Sequence, residues 1–358
     1  MKSTAYLITT PSNIRYLSNF TGSNGFMLLA GRTKYLFTDF RYIERAANTI
    51  APGIKIVNTT KMWHNPEVLK ENWEEILQKH NIKEIGIEED NLTLSRYKRF
   101  KKISPRKKWF NCSGKIEKQR EQKSDVEISY ITKSQRINER IFEELRRHIK
   151  SSLRKKVKIR EIDLVFKIKM LAHEFGAEDL AFSPIIAFGP HSSSPHHLPD
   201  NTTLKPGDNI LIDMGVKYRG YCSDMTRVLF TASLSSRQSE IYELVLKAQT
   251  EAIKKIRAGI SGKTADDYSR KIIQKAGYGD QYGHAGGHGV GLDIHESPSV
   301  SEYYKEKFKK NAVITVEPGI YLEGEFGIRI EDMILLTKSG NKNLTKTPKS
   351  QDVMLVRS

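Results

Sequence analysis

Two pairs of acidic residues stand inside apolar runs. In LIDMGVKYRGYCSDMTRV, Asp213 and Asp224 lie on either side of a turn near Tyr218, Arg219 and Gly220. An antiparallel hairpin about that turn puts the two carboxylates opposite each other, with Cβ atoms ~5 Å apart. Leu211, Gly215, Cys222 and Thr226 would share their face. In VEPGIYLEGEFGIRIED, Glu317 and Glu331 are equidistant from Gly324, and each follows a β-branched residue, as strand residues do. Glu323 and Glu325 flank the turn glycine and read as solvated charges. Asp332 points to the opposite face from Glu331 in an alternating strand, so only one of them joins the cluster, and the symmetry about Gly324 favours Glu331. Carboxylates paired on a buried face repel each other and destabilise a sheet unless a cation lies between them.

Imidazoles supply the rest of the donor set. YGHAGGHGVGLDIHESP holds His284, His288 and His295 among five glycines, which let backbone and ring approach a site closely. GPHSSSPHHLPD, a loop by its glycine, serines and prolines, holds His191, His196 and His197. Four carboxylates plus imidazole form an oxygen-rich set without thiolate, which suits Mn, Co, Fe or Zn in a two-metal site better than a structural zinc. Two ions ~3.5 Å apart, bridged by carboxylates, hold and deprotonate a water for hydrolysis. The residues alone thus reach a binuclear metallohydrolase without giving its substrate.

The elements that must position these residues fall into two parts, as the 358-residue length suggests. The first 110 or so residues alternate strand signals (25–30, 34–39, 54–59, 83–88) with helix signals (41–50, 66–81) and read as a small α/β domain. In the second helix Val68, Leu69, Trp73, Ile76 and Leu77 recur at helical spacing, and Pro66 suits its first turn. The polar stretch 111–124 marks a boundary. Ser124 or Asp125 then caps a long amphipathic helix whose stripe (Ile128, Ile131, Ile141, Leu145, Ile149, Leu153) is interrupted by Gln135 and Asn138. From 180 onward the texture is strand-rich α+β, with helices expected at about 236–258 and 264–276, the latter closed by Gly277.

The net charge is +17, with basic stretches from Arg96 to Trp109 and from Arg146 to Arg160. No nucleic-acid motif accompanies them, so they read as solvated helix faces, and no nucleic-acid partner is expected. No apolar run approaches the ~18 residues of a membrane helix. The N-terminal MKSTAYLITT lacks the features of a secretory signal. Cys112 and Cys222 cannot make a disulfide framework and fit a reducing cytoplasm.

LIDMG, GYCSDMTR, HAGGHGVGLDIHE, VEPGIY and GIRIED, in that order, make residues about 125–352 resemble the catalytic domain of the pita-bread metallopeptidases, which include methionine aminopeptidase, prolidase, aminopeptidase P and creatinase. NIRYLSNFTGSNG and TDFRY resemble the creatinase-type N-terminal domain, with Phe40 where a small residue is usual. The resemblance implies a creatinase-type domain over 1–122 and an α+β pita-bread catalytic domain over 123–358. It also implies five metal ligands: Asp213, Asp224, His288, Glu317 and Glu331. Asp224 and Glu331 would bridge two divalent ions, manganese first, with cobalt or zinc as alternatives.

The N-terminal domain and PHHLPD place the resemblance in the Xaa-Pro branch. That branch implies catalytic roles for His196, His295 and Glu317, with Glu317 as proton shuttle, and substrate contacts for His284, Arg329 and His197. Tyr321 and Phe188 are candidate walls for a proline pocket. The expected activity is aminopeptidase P-like cleavage of Xaa-Pro bonds in proline-containing peptides, by a cytoplasmic homodimer with no membrane partner. The alternatives are an Xaa-Pro dipeptidase, a creatinase-like amidinohydrolase and a non-catalytic binding protein on the same fold.

Overall fold

A computed structural model describes residues 3–62 and 65–356. The chain packs as two units, residues 1–120 and 121–358. The first is built on one six-stranded sheet, in the order Ile54–Asn58, Thr33–Thr38, Gly25–Ala30, Thr4–Ile8, Glu84–Ile87, Lys108–Asn111. Thr4–Ile8 runs antiparallel to Gly25–Ala30 and parallel to Glu84–Ile87, so the sheet is mixed. Trp73 is fully buried and packs among Phe26, Phe37 and Phe100. The strands Thr4–Ile8 and Lys108–Asn111 and the helices Pro11–Ser18 and Leu94–Ile103 add to the expected elements. Leu94–Ile103 lies in a basic stretch and buries only Phe100 and Ile103, which is why its apolar signal is faint.

In the second unit Ser124 caps the helix Asp125–Arg154 through a reciprocal capping box with Glu127. Ile131, Ile141, Leu145 and Ile149 are buried as a stripe should be. The two polar interruptions are buried as well: Gln135 donates to Thr345 Oγ1 and Asn138 to the carbonyl of Met214. They tie the helix to the chain end and to the strand that carries Asp213, so the gaps in the stripe are anchors.

Three strands, Ile185–Phe188, Asn209–Met214 and Met225–Phe230, form one antiparallel sheet. Five more form another, in the order Glu296–Val300, Gly287–Gly289, Val313–Val316, Asp332–Leu336, Asn341–Asn343. A hairpin of Gly319–Leu322 with Phe326–Arg329 stands beside them. The helices Ser236–Lys255 and Gly262–Lys275 cover this strand-rich region, and Gly277 ends the second at φ +87°. The architecture is α+β, as expected.

One register differs from expectation. Tyr218 pairs with Tyr221 and Asp213 with Thr226, so Asp224 does not stand opposite Asp213. The turn is the two-residue Arg219–Gly220, with φ +52° and +81°, the left-handed geometry that twist-matched hairpins require. The pairing is centred between Arg219 and Gly220, one residue beyond the midpoint of Asp213 and Asp224. The second hairpin has the expected symmetry: Gly319 pairs with Arg329 about Gly324. Glu317 and Glu331 are nevertheless not strand residues. Each sits in a break, between Val316 and Gly319 and between Arg329 and Asp332.

Candidate metal centre and its cleft

Asp213, Asp224, His288, Glu317 and Glu331 line one cleft of about 790 Å³, together with His196, His197, His284, His295 and Arg329. Backbone hydrogen bonds set the two candidate ligands at the strand breaks. Glu331 N donates to the carbonyl of Thr226 at 3.2 Å and Glu317 N to that of Gly286 at 3.0 Å. The strand Gly287–Gly289 presents His288, and a Cβ on Gly287 would lie 2.2 Å from the carbonyl oxygen of Thr315, so only glycine allows this approach.

Ligand-type atoms of Asp224, His288 and Glu331 lie within 4.8 Å of one another. His288 Nε2 is 3.5 Å from Asp224 Oδ2 and 3.4 Å from Glu317 Oε1. Thr226 Oγ1 donates to Glu331 Oε2 at 2.7 Å and Thr315 Oγ1 to Glu317 Oε1 at 3.2 Å. Asp332 turns away and receives Arg227 and Lys349, so Glu331 is the member of that pair in the cluster.

The electrostatics of the cluster favour a cation among its carboxylates. Burial, then repulsion from Glu331, Asp213 and Glu317, pushes the Asp224 carboxyl well above the usual range. Glu331 is raised by burial and by Glu317 and Asp213. Glu317 is pushed up to about 7, mainly by burial, although Arg329 opposes the rise. Burial also lowers His288, which favours a neutral imidazole able to act as a ligand. The buried Oδ1 atoms of Asp213 and Asp224 have no hydrogen-bond partner. Repelling carboxylates, unpartnered oxygens and a neutral imidazole fit divalent cations. Burial pushes the Cys222 thiol up to about 12, so it adds no thiolate.

The surrounding residues divide by whom they contact. Arg329 donates to Asp213 Oδ2 at 2.6 Å, to the Tyr321 hydroxyl at 2.7 Å and to Thr226 Oγ1 at 3.1 Å. Burial opposes its charge, but Tyr321, Asp213 and Glu317 more than offset this. His284 Nε2 lies 3.0 Å from the same Tyr321 hydroxyl, and burial lowers this imidazole to about 4. His295 is exposed, with its ring 4.3 Å from that of His288. His196 is also exposed on the cleft wall, whereas His197 Nε2 is 2.7 Å from Glu161.

Phe188 belongs to the core at 1% exposure and does not line the cleft, and Tyr321 stands behind His284 and Arg329. Phe182, Pro184, Ile185, Leu198 and Ile294 form the apolar wall instead. Leu198 and Ile294 adjoin the cleft histidines in sequence, which is a usable signal. Phe182 and Glu161 carry none.

Residues 129–338 match metallopeptidase family M24, and residues 2–122 match the creatinase/prolidase N-terminal domain. The chain belongs to metallopeptidase family M24. It is thus a hydrolase of the pita-bread class, and the family implies divalent metal ions.

Among solved structures, the chain is similar to an Xaa-Pro dipeptidase from Bacillus anthracis, with TM-score 0.89 and 33% identity over 99% of this chain and 95% of that one. It is also similar to an X-Pro aminopeptidase from Thermotoga maritima, with TM-score 0.87 and 33% identity over 99% and 97% of the two chains. An Xaa-Pro dipeptidase from Pyrococcus furiosus is 34% identical over 342 residues, covering 95% of this chain and 92% of its own. No helix among the described residues is long and apolar enough to cross a membrane.

Proposed function

We propose that the chain cleaves Xaa-Pro bonds, acting as an Xaa-Pro dipeptidase. The observation that carries this reading is the carboxylate–imidazole cluster on the floor of a cleft with an apolar wall. The dipeptidase assignment is supported by the relatives from Pyrococcus furiosus and Bacillus anthracis. Aminopeptidase P-like cleavage of longer peptides is the second reading, favoured by the likeness to the Thermotoga maritima X-Pro aminopeptidase. Asp213, Asp224, His288, Glu317 and Glu331 would hold two divalent ions, manganese first and cobalt or zinc next. Such ions, when bound, supply Lewis acidity and an activated water.

The side chains do the rest. An Xaa-Pro bond is a tertiary amide whose nitrogen has no N–H, so the leaving ring nitrogen must receive a proton. Glu317 carries that proton on a carboxylate oxygen. His196 and His295 donate to the carbonyl oxygen as charge develops on it. Phe182, Ile185 and Ile294 seat the pyrrolidine ring, and Arg329 fixes the Asp213 carboxylate through its 2.6 Å hydrogen bond. Initial rates on Ala-Pro and Ala-Pro-Ala separate the two readings. A dipeptidase turns over Ala-Pro and leaves the tripeptide largely intact, and the reverse preference establishes the aminopeptidase.

A further inference from the structure

Glu161 opens the helix Glu161–Glu174, where a glutamate ordinarily complements the helix dipole from solvent. Here it is fully buried, at 0% exposure. Its two oxygens are used evenly. Oε1 accepts from Phe188 N at 2.9 Å and lies 2.9 Å from His191 Nδ1. Oε2 lies 2.7 Å from His197 Nε2 and accepts from Asp200 N at 3.1 Å. One carboxylate therefore clamps both ends and two interior points of the segment 188–200. In the same region Ile162 N donates to the carbonyl of Asp200 at 3.1 Å.

We propose that Glu161 is a positioning residue that acts through His196. The inference rests on the reading of His196 as a donor to the substrate. His196 directly precedes the anchored His197 and lines the cleft beside the metal-ligand cluster. Its other flank is held independently. Ser192 Oγ accepts from Gly327 N at 2.8 Å and from Asn209 Nδ2 at 2.9 Å, which pins the turn Gly189–Ser193 to the rest of the catalytic unit. Between these two anchors lie Ser194, Pro195 and His196, in a turn closed by His197 N donating to the Ser194 carbonyl at 3.2 Å, so the anchoring of His197 by Glu161 sets where the His196 ring stands. Glu161, His191 and His197 also have the donor types of a metal site. However, each oxygen of Glu161 already faces two N–H donors, and a fully satisfied buried carboxylate needs no cation.

The test is a double-mutant cycle on the metal-loaded enzyme with Ala-Pro as substrate. Glu161→Gln places an amide NH₂ against one imidazole and one backbone N–H. The expected loss is ~10–100-fold in kcat with KM changed little, because a misplaced donor weakens the transition state rather than the bound substrate. In a His196→Ala background the same substitution should cost less than ~3-fold, since the group it positions is gone. Both variants should keep two ions by metal analysis.

An equal loss from Glu161→Gln in both backgrounds makes its role merely structural and overturns the inference. So does a silent Glu161→Gln beside a damaging His196→Ala, which leaves the site reading standing. A silent His196→Ala removes the reading of His196 and this inference with it. A third ion, lost in Glu161→Gln, would make the trio a metal site and overturn the anchor. If Glu161→Gln does not fold, His197→Phe removes one donor, keeps ring volume and enters the same cycle with the same outcomes.

Discussion

Asp224, Glu317 and Glu331 resist ionisation in the metal-free protein because each is buried beside other carboxylates. Replacing Asp224 with Asn removes a charge that cations need while keeping the shape. Asp224→Asn is therefore expected to lose at least one ion by metal analysis and to fall below about a tenth of wild-type turnover. A second outcome concerns pH. Glu317 rises from 4.5 to about 7 on folding, so the unfolded chain ionises first and binds fewer protons as pH climbs. Its protonated carboxyl favours the fold at acid pH, and that advantage disappears as pH rises towards 7. The chelator-stripped protein should then melt at a lower temperature at pH 7.5 than at pH 5, with Mn²⁺ restoring the loss. A third outcome concerns the histidines. His196→Ala and His295→Ala should each lower the rate ~10²–10³-fold with both ions retained. Loss of an ion in His295→Ala would instead make it a ligand.

Strand breaks recur among the cluster's residues. Glu317 and Glu331 lie just beyond strand ends, and Asp224 just before Met225–Phe230, where the ladder releases the chain. The acidic pattern in the sequence could show that these residues share a neighbourhood, because each pair flanks a hairpin turn in the fold, at Arg219–Gly220 and at Gly324. It could not show the register of the first hairpin, which depends on Arg219 taking a positive φ that an arginine does not advertise. Gln135 and Asn138 likewise look like damage to a helix stripe until their buried partners are known. Glu161 left no sequence trace, since an acidic residue at a helix start is ordinary. The break at Glu331 rests on a buried network. Arg227 is fully buried and donates to the Glu331 carbonyl at 2.7 Å and to Asp332 at 2.7 Å. Burial opposes the charge of Asp332, but Arg227 and Lys349 hold its pKa well below the usual range. Arg227→Met is expected to cost about 3–5 kcal/mol of stability in denaturant titrations, because it leaves a buried carboxylate short of a partner.

At the scale of the molecule, the motifs told more than the composition did. Five short segments in a fixed order pointed to the fold, and the family match over 129–338 agrees with them. The net charge of +17 pointed nowhere in particular, and the basic helix Leu94–Ile103 keeps most of its cationic side chains in solvent. The apolar wall of the cleft is legible only in part: Ile294 and Leu198 stand next to cleft histidines in sequence, whereas Phe182 carries no such signal and joins the wall only in three dimensions. Metal dependence and preference for the Xaa-Pro bond are read together from kcat/KM for Ala-Pro and Ala-Ala with Mn²⁺ bound, repeated after chelation. Ala-Pro should be cleaved at least ~100-fold faster, roughly 2.7 kcal/mol in transition-state binding, and activity should be lost when the metal is removed. Equal values for the two dipeptides, or activity that survives complete metal removal, would contradict a metal-dependent peptidase for Xaa-Pro bonds.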